Sequence, residues 1–239
     1  MRADSGRRRM LRMHTTRHVL ITVIAAAACL AMTMTIDAQP PSAAQQPSAN
    51  GTPPAPMPKI LVAGENPAIT LRDKEGGPPL TSVNFWRVHW SPVGSGAVCF
   101  VTVSGQGSGG GDLRIAVHDN SKVLDYVTRE LMSSLMENFN QPPYTPVGGT
   151  ITQGGDNVTE RKETCRSDAY NVELIWRGFL EPTWVDIRPG ANVLMTFTMV
   201  MAKDAEVIVN GKKAPGRVVP GGRGSFPPSF LALNETWRR

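Results

Sequence analysis

Apolar and polar side chains alternate along residues 185–201, with the period of two that is typical of β-strands. Every odd-numbered residue from 193 to 201 is apolar, whereas threonines are interspersed at the even-numbered positions. Just before this run, Val185 and Ile187 alternate with charged residues, and Pro189-Gly190 supplies a turn. The pattern predicts two antiparallel strands joined by that turn.

Other short segments have the same strand character and are separated by turn residues. Asn210-Gly211, a strong signal for a type I′ hairpin, follows the last of them. The succession of strands and turns resembles the pattern common in immunoglobulin-like sandwiches. That resemblance implies a mainly β fold organised as an antiparallel β-sandwich. The further predicted strands cover residues 59–63, 68–72, 83–90, 97–103, 113–117, 171–177 and 206–209.

One segment departs from the period of two. Over residues 121–138 the apolar side chains recur every three or four residues, which predicts an amphipathic helix with Ser121 as its N-cap. We expect this single helix to be inserted between strands and to pack on the sheet. Its apolar positions are Val123, Leu124, Val127, Leu131 and Leu135.

The first 38 residues have the pattern of a secretory signal peptide. Six arginines lie within the first 17 residues, and residues 19–36 carry no charge. Ala38 is a small residue suited to the cleavage position, and a retained membrane anchor is the alternative to cleavage. A Sec signal is favoured, with twin-arginine export as the alternative because Arg7, Arg8 and Arg9 are consecutive. The expected location is periplasmic or secreted, in a bacterium.

Composition divides the rest of the chain into three parts. Residues 39–58 are rich in Pro, Ala and Gln, which predicts a disordered leader. Residues 59–213 are long enough for one apolar core and are expected to form a β-rich globular domain. Residues 214–239 begin with a stretch rich in Pro and Gly and are expected to form an irregular tail, or else to wrap around the domain surface through anchors such as Trp237.

The net charge of the mature chain is close to zero. Residues 1–38 contain six of the 25 Lys and Arg and two of the 20 Asp and Glu, which leaves 19 basic and 18 acidic residues. Because phosphate binding requires a concentrated basic surface, we expect no nucleic-acid partner. We also expect no membrane span after cleavage.

Cys99 and Cys165 are the two cysteines that remain after residue 38. An even pair in an exported chain favours a disulfide bond, and the alternative is a pair of buried free thiols. A disulfide would argue against a thiol nucleophile.

Several familiar catalytic signatures are absent from the sequence: Gly-x-Ser-x-Gly, His-Glu-x-x-His, Cys-x-x-Cys and the Walker loop. The segment from Gly105 to Gly110 has the spacing of a dinucleotide-binding loop. That motif needs a helix directly after the glycines, whereas the residues that follow predict a strand. We therefore interpret the segment as a hairpin loop.

His118 and Asp119 are the candidate catalytic residues, because they lie where a predicted strand ends and the helix begins. An imidazole beside a carboxylate can act as a general base, or the two could help to hold a zinc ion. The alternative is a turn in which Asp119 or Asn120 caps main-chain amides.

Asp156, Asn157 and Glu160 are the candidate metal ligands, since they offer oxygen atoms in a glycine-containing loop of the kind that binds calcium. The alternative is a solvated loop without a metal. We expect no cofactor, with calcium or zinc as the exceptions that these residues would allow.

Trp86, His89 and Trp90 are the candidate binding residues, because the two tryptophans share one face of a predicted strand. If that face is exposed, it offers a platform for a glycan or a peptide. If it is buried, the tryptophans belong to the core.

Two functional hypotheses follow. The first is an exported, non-catalytic β-sandwich of the periplasm or cell surface that binds a protein or glycan partner. The second is a small secreted hydrolase of an ester or lactone, metal-dependent or not, centred on His118 and Asp119. A third interpretation is a structural partner in envelope assembly, in which an exposed sheet edge accepts a strand.

Overall fold

Most of the segments with a period of two form β-strands, and the prediction of a mainly β fold is confirmed. The computed structural model describes residues 59–133, 143–190, 192–220 and 227–239, so the predicted signal peptide and leader lie outside the described residues. The strands are β1 (Ile60–Glu65), β2 (Ala68–Leu71), β3 (Thr81–Trp90), β4 (Gly96–Val103), β5 (Leu113–His118), β6 (Thr145–Gly148), β7 (Thr150–Gly155), β8 (Glu160–Arg166), β9 (Asn171–Phe179), β10 (Thr183–Gly190), β11 (Val193–Val209), β12 (Lys212–Lys213) and β13 (Ser229–Arg238).

The strands form one large sheet in the order β6-β5-β4-β3-β1-β13-β11-β9-β8-β7, to which β2, β10 and β12 are added. The sheet is mixed, because β6 runs parallel to β5, so the prediction of purely antiparallel pairing is wrong at this position. Parallel neighbours need a long crossover connection. Here the connection from His118 to Thr145 includes the helical segment.

The long strand β11 joins two regions of the sheet. Its first half pairs with β10 and β13, and its second half pairs with β9 and β12. The sequence predicts two separate strands here, over 193–201 and 206–209. The polar residues Lys203 and Asp204 interrupt the apolar pattern but are simply exposed, while Ala202 and Ala205 continue the pairing with β9. The hairpin at Asn210-Gly211 is as expected, since both residues have positive φ angles of 51° and 76°.

Apolar side chains form two clusters, one on each face of the strands β3, β4 and β5. One cluster joins Phe85 of β3 to Trp176 of β9, and the other joins Trp86 of β3 to Val127 of the helical segment. Because both faces of these strands are covered, their sequences contain nearly continuous apolar runs such as residues 97–101.

The helical segment begins as α1 (Ser121–Tyr126) and continues as a π-helical turn over Val127–Met132. Its N-cap is Asn120 and not Ser121, because the Asn120 side chain accepts a hydrogen bond from the Lys122 amide at 3.0 Å. The remainder of the predicted helix, up to residue 138, lies largely outside the described residues. Within the described ranges, no helix is both long enough and apolar enough to cross a membrane.

The last strand, β13, belongs to the centre of the sheet, where it lies between β1 and β11. The structure thus differs from the domain boundary that the sequence predicts at Lys213. The apolar side chains of β13 are buried, among them Leu231 and Trp237. They fill the core that an irregular tail would leave open. At the end of the β1–β13 pair, Lys59 and Arg239 exchange main-chain hydrogen bonds of 2.8 and 2.9 Å.

A buried ionic cluster connects β8 to the strands β1 and β3. Glu163 is fully buried and accepts hydrogen bonds from Arg87 at 2.5 Å and from Arg161 at 2.6 and 2.9 Å. Arg161, itself 2% exposed, also forms an ion pair with Glu65 at 2.6 Å. Burial raises the pKa of Glu163, and the two guanidinium groups oppose that rise. Each charge is thus compensated only while all four side chains keep their positions.

We expect the substitution Glu163→Ala to lower the free energy of unfolding by about 3–5 kcal/mol, because it leaves the buried Arg161 without its main counter-ion. The measurement is a urea unfolding curve. Lys162→Ala is the matched control on the same strand, since its ion pair with Glu173 is partly exposed and should contribute less than about 1 kcal/mol. Equal effects of the two substitutions would show that the buried cluster has no special role.

Candidate functional site

His118 and Asp119 lie at the end of β5, but the described residues give them no shared hydrogen bond. Asp119 accepts a hydrogen bond from the Ala97 amide at 2.6 Å, which fixes the start of β4. The Nδ1 atom of His118 is buried without a hydrogen-bond partner in the described part of the chain. The carboxylate therefore serves the main chain, as in the capping alternative. In the described residues, no hydrogen bond between Asp119 and the His118 imidazole supports a catalytic pair.

Asp156, Asn157 and Glu160 come together in the turn between β7 and β8, where protein donors occupy oxygens of all three. Asp156 accepts hydrogen bonds from the Thr159 hydroxyl and from three main-chain amides, and these bonds hold the pKa of its carboxyl well below the usual range. Asn157 accepts from Arg161, and Glu160 pairs with Arg177. Among the described residues, no group of three acidic, cysteine or histidine side chains is placed to hold a metal ion.

The three candidate binding residues separate into core and surface. Trp86 is 3% exposed and packs edge-to-face on Trp237, with 5.6 Å between the ring centres. His89 is exposed, and Trp90 keeps half of its surface exposed at the end of β3. The common face of the strand is thus buried at its centre and open only at its end.

Cys99 of β4 and Cys165 of β8 are fully buried in one apolar cluster. Both are free thiols in this structure, and their side chains are in hydrogen-bond contact. Burial, followed by the contact with Cys165, raises the pKa of the Cys99 thiol well above its usual value. The fold thus brings together the two cysteines that the sequence pairs.

A chain of polar side chains runs through the second apolar cluster, and sequence analysis missed it. The indole of Trp86 donates to Asn84, whose amide donates to Asn66 at 3.0 Å. Asn66 in turn hydrogen bonds to Glu235, which also accepts from the Trp237 indole. The signal in the sequence that could have revealed these hydrogen-bonded side chains was Glu235, an acidic residue at an apolar position of β13.

Two irregularities of the backbone create the space for these groups. The strands β1 and β2 are interrupted at Asn66-Pro67, and β13 contains a bulge at Asn234, whose φ angle is 53°. The bulge reverses the alternation of faces, so that Glu235 and Trp237 lie on the side of the second apolar cluster, whereas Leu231 lies on the side of the first. Burial raises the pKa of Glu235 to about 8 despite the opposing hydrogen bonds. At neutral pH its carboxyl group is therefore mostly protonated.

The chemistry available to Glu235 is limited by access. A protonated carboxyl with a raised pKa is suited to act as a general acid, but Glu235 is only 4% exposed. A substrate would find almost no surface to contact. We interpret the chain of side chains as support for the interrupted strands and not as a catalytic centre.

The accessible candidate site is the edge strand β10. Only β11 pairs with it among the described strands, so its other edge has no described partner. Trp184, the most exposed aromatic residue described, is 63% exposed, and Leu180 just before the strand is 38% exposed. Val185 and Ile187 point to the opposite face and pack against the second apolar cluster. The strand is therefore held on one face and open along one edge.

Comparisons of the chain with protein-family models, with curated proteins and with solved structures found no match.

We expect Glu235 to make the protein less stable as the pH rises. Its pKa in the folded state is about 8, whereas an exposed Glu has a pKa near ~4.3. Between these values the folded state binds the additional proton, so the free energy of unfolding should fall by up to about 1.4 kcal/mol per pH unit, and should level off above the folded pKa.

The measurement is the free energy of unfolding from pH 5 to pH 9 for the native protein and for Glu235→Gln, which keeps a neutral hydrogen-bonding group. The variant should lose this part of the pH dependence and be the more stable protein at pH 9. Glu75→Gln is the control, because Glu75 is exposed in a loop. A variant with the native pH profile would show that Glu235 is ionised throughout.

Proposed function

We propose that the protein is an exported, non-catalytic β protein of the cell envelope that binds a protein partner by strand addition to β10. The observation that carries this proposal is the open edge of β10 beside the exposed Trp184. Main-chain hydrogen bonds along such an edge supply affinity, and alternate side chains supply specificity.

The other edges of the sheet are poorer docking sites. The strand β6 has four residues and includes Pro146, which cannot donate a hydrogen bond. The strand β7 ends in Gly154-Gly155, and most of its residues are exposed. With eight residues, β10 is longer than β6, β7 and the two-residue β12, the other strands with a single described neighbour. It is also the one that joins an exposed aromatic side chain to a face in contact with the core.

The two faces of β10 define the partner segment. A strand added beside β10 would extend the face of Val185 and Ile187, which favours apolar side chains at alternate positions of the partner. On the other face the added strand would lie beside Trp184, Asp186 and Arg188, all of which are exposed. The expected partner is therefore an extended peptide segment with alternating apolar and polar residues.

The finer architecture that we propose is a β-sandwich. One apolar cluster combines side chains of β3, β4 and β5 with side chains of β8, β9 and the second half of β11. These strands lie far apart in the order of the sheet, so their contact is best explained if the sheet folds over on itself. Export is supported by the signal-like N-terminal segment and by the buried cysteine pair.

We expect the exported protein to contain a Cys99–Cys165 disulfide. Two thiols would lose two protons and two electrons to a disulfide-donating oxidant, and one S–S bond would form. Because burial keeps the Cys99 thiol protonated, the bond should form during folding. Intact mass should be lower by two hydrogen atoms, and reduction should lower the free energy of unfolding by roughly 4 kcal/mol.

The control for this experiment is the double variant Cys99→Ala and Cys165→Ala, whose stability should not respond to a reducing agent. Two alkylatable thiols in the unfolded exported protein would contradict the disulfide.

Photo-crosslinking tests partner binding at β10. The full chain, with its own N-terminal segment, carries a benzophenone amino acid at Trp184 and is produced in its native cells. We expect a discrete crosslinked product, because this side chain lies beside the proposed partner strand. Val158 is the matched control, since it is 76% exposed and lies in the turn after β7. Identical products at both positions, or none at Trp184, would contradict the proposal.

A further inference from the structure

We infer that the occupant of the β10 edge is β10 of a second copy of this chain, paired antiparallel about a two-fold axis at Ile187. This inference rests on the proposed use of β10 as the binding edge and names the partner.

The sequence of β10 is self-complementary in only one register near its centre. In a two-fold antiparallel pair, opposite residues share a face, so the axis must coincide with a residue position. An axis at Asp186 places two aspartates opposite each other, and an axis at Arg188 does the same for two arginines. Like charges in opposite positions are destabilising.

An axis at Ile187 instead places Asp186 of each copy opposite Arg188 of the other, which gives two pairs of opposite charges. An axis at Val185 places Asp186 opposite Trp184 and gains no charge pair. Complementary charges thus select the Ile187 register over its neighbours.

Both charged side chains are available for this pairing. Asp186 and Arg188 are exposed, and neither forms an ion pair with another residue in the described ranges. They share the outer face with Trp184, which would add apolar contact beside them. On the inner face, Ile187 of one copy would meet Ile187 of the other. The second apolar cluster of one copy would then be continuous with the same cluster of the other copy.

The paired segment is short, because the pairing of β10 with β11 is irregular between Ile187 and Gly190, and because Pro189 has no N–H to donate. A small interface of this kind is expected to give a reversible dimer with a dissociation constant on the order of micromolar. The two Asp–Arg pairs should then have a measurable effect on association.

Charge exchange provides the test, with sedimentation velocity of the full exported chain as the measurement. The variants Asp186→Lys and Arg188→Glu place like charges opposite each other in both pairs, and each should weaken dimerisation at least ~10-fold. An equal mixture of the two variants should dimerise again, because both opposite pairs then join a basic side chain to an acidic one. The double variant should dimerise for the same reason.

Lys212→Glu is the control, because Lys212 is an exposed charge on another short strand, β12, and its reversal should leave the dimer intact. The inference is overturned if the native protein stays monomeric up to ~100 μM, far above the expected dissociation constant, or if the mixture of variants fails to restore association. Restored association in the mixture also shows that both variants are folded, because pairing requires an intact β10 in each copy. Both substituted positions are exposed.

The crosslinking experiment at Trp184 separates this inference from the proposed function. A product with twice the mass of the chain supports the second copy. A product of any other mass overturns the second copy but retains β10 as a protein-binding edge. Absence of any product, together with a monomeric protein, overturns both.

Discussion

The buried carboxylate of Glu163 is the constraint on which the arrangement of the sheet depends. It meets Arg161 on its own strand and Arg87 on β3, and Arg161 extends the cluster to Glu65 on β1. Buried charges need their partners at fixed positions, because an uncompensated buried charge is strongly destabilising. The cluster therefore fixes β8 against β1 and β3, and with it the cysteine two residues further along β8.

Sequence patterns predicted the strands whose faces are apolar but missed those whose buried face is polar. In β8, the buried positions are Arg161, Glu163 and Cys165, so the strand is charged on both faces and has no hydropathy signal. The edge strands β6 and β7 have few buried residues and gave no signal either. The pairing partner of such strands depends on contacts that are distant in sequence.

The candidate sites were predictable only as far as local chemistry determines them. The hydrogen bonds of the turn at Asp156 and of the cap at Asn120 follow from residue type. The exposure of Trp90 and the burial of Trp86 depend on where the neighbouring strands end. The open edge of β10 could not be recognised from sequence, since it requires that β13 occupy the other side of β11.

The paired ends of the domain have a mechanical consequence. Lys59 and Arg239 are hydrogen bonded to each other at the open end of the β1–β13 pair. A force that pulls these two ends apart would act on one hydrogen bond at a time, and the pair would unzip. A force applied between residue 59 and β10 would instead be distributed across several strands. A protein with this fold would therefore resist tension between residue 59 and β10 better than tension between the two ends of the β1–β13 pair.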